Sequence, residues 1–292
     1  MSAAASRLAS GIAALALGAL AMGASVLFVR QADVGPFASA FWRVALALPV
    51  LALWAARAAR HPAGRCTPDR MSVLAGLFFA GDLVFWHLAI LNTSVANAAV
   101  LATTAPVWVT LFAVVFLGDR PRPAVWAGLA LGLAGAVVLV GRSAHFDPDH
   151  LPGDMAGLVT AVFFAAYFLA IRRARLSRGA ASVMLISTTA SAMALLAIAL
   201  ALEPRLWPAS GTGLAALLGL ALVSQVGGQG LMAIGLASVP PVFGALVFFL
   251  EVVSAALLGL LFLGEPLSPL QALGGLVILL GLVVARPTVA DA

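Results

Sequence analysis

Long apolar runs alternate with short polar gaps along the whole chain. Ten runs are long enough to cross a bilayer as helices, which takes roughly 20 residues each. They lie at about 8–29, 36–56, 71–91, 95–117, 123–141, 153–171, 180–202, 212–236, 240–263 and 268–285. Lipid offers the backbone no hydrogen-bond partners, so helices are the expected state for such runs. The first run also has marks of a cleaved signal peptide, with Arg7 before it and small residues around Ala21–Ser25. It continues to Phe28–Val29, beyond a typical signal core, and the internal repeat described below needs it. We read it as the first membrane helix.

Composition supports that pattern. Hydrophobic residues make up 63% of the 292 residues and charged residues 9%, against about a quarter charged in soluble domains. The polar surface is too small to cover a globule in water, so the expected class is an all-α integral membrane protein in contact with lipid. The net charge is +5, which in a soluble chain would suggest nucleic acid. Here every positive charge is arginine, set in the gaps between runs, and no basic helix or aromatic platform accompanies it. No nucleic-acid partner is expected. If all ten runs cross, Arg7, Arg57, Arg60, Arg65, Arg70, Arg120, Arg122, Arg172, Arg173, Arg175, Arg178 and Arg286 fall on one side, which makes 12. Arg30, Arg142 and Arg205 fall on the other, which makes 3, and Arg43 lies inside a run. This bias puts both termini in the cytoplasm and the protein in the inner (plasma) membrane.

The chain repeats itself. Leu111–Val140 aligned with Leu257–Arg286, an offset of 146, gives ten identities in thirty positions. They include Phe116/Phe262, Leu117/Leu263, Gly118/Gly264, Pro123/Pro269, Gly128/Gly274 and Gly135/Gly281, and Asp119 matches Glu265. Chance supplies Leu and Val matches readily, but not glycine, proline and acid together. The expected organisation is two five-helix repeats, 1–145 and 146–292. Five is odd, so the second repeat is inverted in the membrane, an architecture common among secondary transporters that bind substrate near the midplane. Locally, the shared Phe-Leu-Gly-acid endings read as helix stop and start signals. The glycines read as points of close helix approach.

These paired endings, the ten runs and the arginine in the second helix resemble the EamA-type drug/metabolite transporters over nearly the whole chain. Within that superfamily the chain is most similar to the YddG-type exporters of aromatic amino acids. The resemblance implies a central cavity lined by helices 1, 3, 4, 6, 8 and 9, with helices 5 and 10 peripheral. It also implies export of small amphipathic metabolites, aromatic and other neutral amino acids, by alternating access. One departure stands out. The family often carries Glu-Pro in helix nine, but Glu251 is followed by Val252, while the matching first-half position keeps Pro106.

Ionisable groups inside the runs are few: Arg43, Asp82, His87 and Glu251. Each is costly in hydrocarbon and needs a partner or water. At about 1.5 Å per residue, Arg43, Asp82 and Glu251 reach similar depths. We expect Arg43 and Asp82 to form a structural ion pair. Glu251 has two readings of equal weight: a cavity acid that binds a substrate ammonium or a proton, and a protonated packing group. His87 lies roughly 140° from Asp82 around the helix and near the outer end, which favours packing over proton relay. The remaining cavity candidates are Phe78, Trp86, Thr104, Trp108, Phe163, Tyr167, Gln225, Gln229 and Phe248. Aromatic rings suit flat or cationic organic solutes. Gln225 and Gln229 suit amino or carboxyl groups, with interhelical hydrogen bonding as the competing reading.

No cofactor or metal is expected. Cys66 is a single cysteine, and His145, Asp147, Asp149 and His150 read as a solvated linker rather than a metal site. The Asn92-Thr93-Ser94 sequon reads as accidental. An intramembrane enzyme would need a clustered catalytic set, and HExxH, GxSxG and paired intramembrane aspartates are lacking. The chain is therefore expected to be a transporter, working as a monomer on a small-molecule substrate. Competing readings within transport are a cationic-drug or quaternary-ammonium exporter and an importer of a related metabolite.

Overall fold

The structure, a computed structural model, describes residues 3–59, 68–140, 148–264 and 266–287. Arg60, Arg65, Cys66, Arg142, His145, Asp147 and Glu265 lie outside the described residues. Regular structure among the described residues is entirely helical. Among the described residues nine helices are long and apolar enough to cross a membrane: α1 (Ala4–Gln31), α2 (Pro36–Ala58), α3 (Arg70–Asn92), α4 (Asn97–Leu117), α5 (Pro123–Val140), α6 (Leu151–Arg175), α7 (Ala180–Leu202), α8 (Gly211–Gly235) and α9 (Pro241–Phe262). A tenth apolar helix, α10 (Pro269–Ala285), is shorter at 17 residues. Large apolar side chains cover the outer face. Phe116 and Phe262, at equivalent places in the repeat, are 75% and 70% exposed. Patches of this kind belong against lipid rather than water.

Contacts between the halves come in reciprocal pairs. The first helix of one half packs on the third of the other, α1 on α8 and α6 on α3. It also packs on the fourth, α1 on α9 and α6 on α4. The α5–α10 pair is the sharpest case. A Cβ at Gly128 would lie 2.6 Å from the Gly281 carbonyl oxygen, and one at Gly281 would lie 2.8 Å from that of Gly128. Gly135 and Gly274 exclude each other's Cβ atoms in the same way, at 2.6 and 2.7 Å. The order of these contacts makes the two helices antiparallel. Backbones this close gain dispersion contacts that lipid cannot match, and only glycine permits them.

The repeated endings adopt the expected geometry. Gly118 and Gly264 close their helices in the left-handed region, at φ 70° and 67°, where a side chain would be strained. Their amides donate to Ala113 O and Gly259 O, which are also repeat-equivalent. Ser268 and Gln271 then start α10 with a reciprocal capping box.

Several of these helices are interrupted along their length. α4 breaks at Thr103–Thr104, where the Thr104 amide donates to Leu101 O (3.1 Å) and the threonine hydroxyls bond back to Val100 O and Leu101 O, each at 2.6 Å. Pro106, without an amide proton, follows. α9 has no proline there, yet it also breaks, at Phe248. The Phe248 amide turns back to Ala245 O (3.1 Å) and the Glu251 amide to Phe248 O (3.0 Å). The interruption thus survives the loss of the proline, and Glu251 falls in the first turn of the restarted helix, where free amides favour an acid. In α8, residues Leu220–Gln229 form a wide π-helical segment, a geometry that concentrates at functional sites.

Candidate functional site

A cavity of about 560 Å³ lies inside the bundle, lined by side chains from α1–α6, α8, α9 and α10. Beyond the six helices expected to line it, α2 contributes Arg43, and the two helices expected to be peripheral also reach it, α5 with Leu139 and Val140 and α10 with Gln271. The lining runs from Arg43, Gln229 and Ala245 at depth to Arg30, Ala99, Val140 and Gln271 at one end of the bundle. At the opposite end, arginines of α6 hold the carbonyl end of α8. Arg175 Nε donates to Ala233 O (2.7 Å) and Arg172 Nη1 donates to Leu236 O. Arg122 Nη2 donates to Arg286 O there (3.1 Å). Cations on helix C-terminal carbonyls are favourable, so these bonds tie α6 to α8 at this end, which the lining of the cavity does not reach.

Of the residues singled out from sequence, Asp82, Trp86, Gln229, Phe248 and Glu251 line the cavity. Tyr167 is buried directly behind it. Its hydroxyl donates to Gln229 Oε1 (3.0 Å), and its ring lies 4.7 Å from that of Phe79, a lining residue. The other candidates sit elsewhere. Phe163 fills the α3–α6 interface, stacked on Phe85 at 5.4 Å and 6.4 Å from Phe78. His87 Nδ1 contacts Leu83 O (2.6 Å), and the ring packs near Phe37. Gln225 Nε2 donates to Thr188 Oγ1 (3.3 Å), between α8 and α7. Thr104 bonds its own backbone, and Trp108 packs against Phe112.

Arg43 and Asp82 face the same cavity without forming a contact pair. No nitrogen–oxygen approach within 4.0 Å joins them. The Arg43 guanidinium lies over the Phe79 ring at 5.5 Å instead. Arg43 does interact electrostatically with both Glu251 and Asp82, so the three charges share one low-dielectric chamber. Around them stand Phe164, Phe248 and Phe249. The Phe164 and Phe248 rings, both from the second half, meet edge-on at 5.7 Å, and Phe79 and Trp86 bring rings of the first half to the same cavity. The chamber therefore combines a few charged groups with aromatic walls, the usual make-up of a small-molecule site.

Sequence reasoning placed Phe78 and Phe163 toward the cavity, and the structure places Phe79 and Phe164 there. One residue is a rotation of about 100°. Both i−3 and i−4 flank the face of Asp82, and nothing local decides between them. Gly81 does: a Cβ there would meet the Phe163 ring at 2.5 Å, so this face of α3 packs against α6. Asp149 and His150 are placed at the start of α6, and no cluster of three or more metal-ligand side chains occurs among the described residues.

The chain was compared with known proteins on this basis. It matches a solved crystal structure at TM-score 0.83 and 23% identity, over 96% of this chain and 97% of the other, which shows a shared fold. It is 35% identical over 147 residues to the aromatic amino acid exporter YddG of Ancylobacter novellus, covering 49% of each chain. The match therefore spans about half that exporter's length. It is 32% identical over 206 residues to the threonine/homoserine exporter RhtA of Escherichia coli, covering 69% of this chain and 66% of the other. An uncharacterized transporter of Archaeoglobus fulgidus aligns over 94% of this chain at 27% identity. The profile of the EamA-like transporter family matches twice, at residues 9–141 and 151–286, so the chain belongs to the EamA-like transporter family.

Proposed function

We propose that this multi-pass inner-membrane protein exports neutral, chiefly aromatic, amino acids by alternating access through the chamber around Arg43, Asp82 and Glu251. The observation that carries the reading is the chamber itself: three separated ionisable side chains among aromatic rings, Phe79 and Trp86 from the first half and Phe164, Phe248 and Phe249 from the second. Charges suit the head group of an amino acid, and rings suit its side chain. Relatives named as exporters of aromatic amino acids and of threonine and homoserine support the same class.

The two family matches meet on either side of residues 142–150 and support domains divided near 145/146. Reciprocal contacts between the halves, and the antiparallel glycine crossing of α5 with α10, are what a two-fold axis in the membrane plane requires. They support ten crossings with an inverted repeat. With both termini in the cytoplasm, the closed end held by Arg172 and Arg175 faces inward and the chamber opens outward. The chamber is enclosed by one chain, which supports a monomer as the working unit.

Cells expressing the chain should tolerate several-fold more p-fluoro-phenylalanine, a toxic amino acid, than cells carrying an empty vector. Equal sensitivity, with the protein verified in the membrane, contradicts the export reading. Flux in proteoliposomes that ignores an imposed pH gradient removes Glu251 as an obligatory proton carrier.

A further inference from the structure

The chamber leaves two buried hydrogen-bond donors without a partner in the protein, Arg43 Nε and Gln229 Nε2. Such groups are rare, because a buried donor left unmade is costly, and each one asks for an explanation. Gln229 is 0% exposed and lines the cavity, so it is not simply facing bulk water. Its orientation is set from behind: Tyr167 donates to Oε1, which turns the amide nitrogen away from the tyrosine. The π-helical segment of α8 carries it, ending at Gln229. Arg43 is held in a comparable way, its guanidinium over Phe79, whose ring packs at a tilt against the same Tyr167. Both donors are therefore fixed by one aromatic pair.

On the acceptor side stand Asp82 and Glu251. Neither closes an ion pair with Arg43 within 4.0 Å, although both feel its charge. In a low-dielectric chamber, opposite charges that can meet gain from meeting. Held apart in this way, the pair keeps its hydrogen-bonding capacity for a third party. That party must offer an anion to the donors and a cation to the acids of the same chamber.

We propose that Arg43 and Gln229 form a carboxylate-binding pole, and Asp82 with Glu251 an ammonium-binding pole. The transported solute must then carry both charged groups on one carbon, as an α-amino acid does. This rests on the export reading and deepens it, because it assigns recognition to the zwitterionic head group rather than to the side chain. Solutes with one charge leave one pole buried and unpaired, and a site built to bind a polar group rejects the analogue that lacks it. The expected discrimination is roughly 10- to 100-fold per missing charge.

The test uses the full chain in proteoliposomes loaded with L-phenylalanine. Phenethylamine, which lacks the carboxylate, and 3-phenylpropionate, which lacks the ammonium, compete with labelled L-phenylalanine uptake. Both should compete at least tenfold less well than unlabelled L-phenylalanine. Arg43→Gln should lose most of its discrimination against phenethylamine, and Glu251→Gln against 3-phenylpropionate. Gln229→Met, which keeps the volume and removes only the amide, should weaken phenylalanine and leave phenethylamine unchanged. It serves should Arg43→Gln fail to fold. Equal competition by phenethylamine in the wild type, or undiminished selectivity in Gln229→Met, overturns the two poles while export stands. A wild type that carries no amino acid overturns the export reading, and the poles with it.

Discussion

At the scale of single residues, the chamber depends on how Tyr167 organises its neighbours. It joins Gln229 through its hydroxyl and Phe79 through its ring. Tyr167→Phe removes the donor to Gln229 Oε1 and keeps the tilted ring contact with Phe79. The amide is then free to turn. A hydrogen bond of this kind contributes about 1 kcal/mol, and the carbonyl left buried costs more. We expect a several-fold rise in the concentration for half-maximal transport with the maximal rate nearly kept, measured as initial uptake against substrate concentration. Phe79→Leu should act similarly by releasing the Arg43 guanidinium. Tyr167 was legible in the sequence as the single tyrosine in an apolar run, and Glu251 and Asp82 as charges with no business in hydrocarbon. What stayed hidden was pairing. Depth along a helix follows from counting residues, so the common level of Arg43, Asp82 and Glu251 could be estimated. Rotation about the axis does not follow, which is why Phe78 and Phe163 stood in for Phe79 and Phe164. The same gap explains Arg43. Counting put it within reach of Asp82 but had no view of the Phe79 ring that holds its guanidinium instead.

At the scale of elements, the ends and crossings of helices were the most readable features. Apolar runs marked the ten helices to within a few residues, because lipid enforces helix and polar gaps enforce ends. Glycine spacing marked points of close helix approach without naming the partners, and the structure pairs them between α5 and α10. Gly135→Val should therefore cost about 1–3 kcal/mol, as overpacking does, and so should Gly281→Val. Thermal unfolding in detergent should show both variants losing stability, against little change for Gly211→Ala, where a Cβ meets open space. Less readable was the break in α9. Without proline the run looked continuous, and the turn at Phe248 appears only when α9 is seen beside α4. The π-helical stretch of α8 was legible only as a cluster of glycines. The arginines of α6 belong to this scale as well. Arg175→Ala removes the donor to Ala233 O and loosens the closed end. In a Cys66→Ser background, a cysteine at Ser238 should react several-fold faster with a thiol reagent added on that side of the membrane when Arg175 is replaced. An unchanged rate would show that this contact does not hold the closed end.

At the scale of the whole molecule, two similar halves build one asymmetric chamber. The scaffold is repeated, as in the matching caps at Gly118 and Gly264 and the exposed Phe116 and Phe262. The chemistry is not repeated. Glu251 stands where the first half has Ala105, and Gln229 stands on a helix segment unlike its counterpart α3. Symmetry in the frame allows two states of similar energy, and asymmetry in the chamber allows one kind of solute. The most direct measurement is counterflow. Proteoliposomes containing the full chain are loaded with unlabelled L-phenylalanine and diluted into a trace of labelled L-phenylalanine. A carrier with one alternately exposed site accumulates label transiently above the outside concentration, with a rate that saturates in the internal substrate. That is the result this account predicts. Label that only equilibrates, at a rate rising linearly with concentration and unaffected by internal phenylalanine, would contradict it.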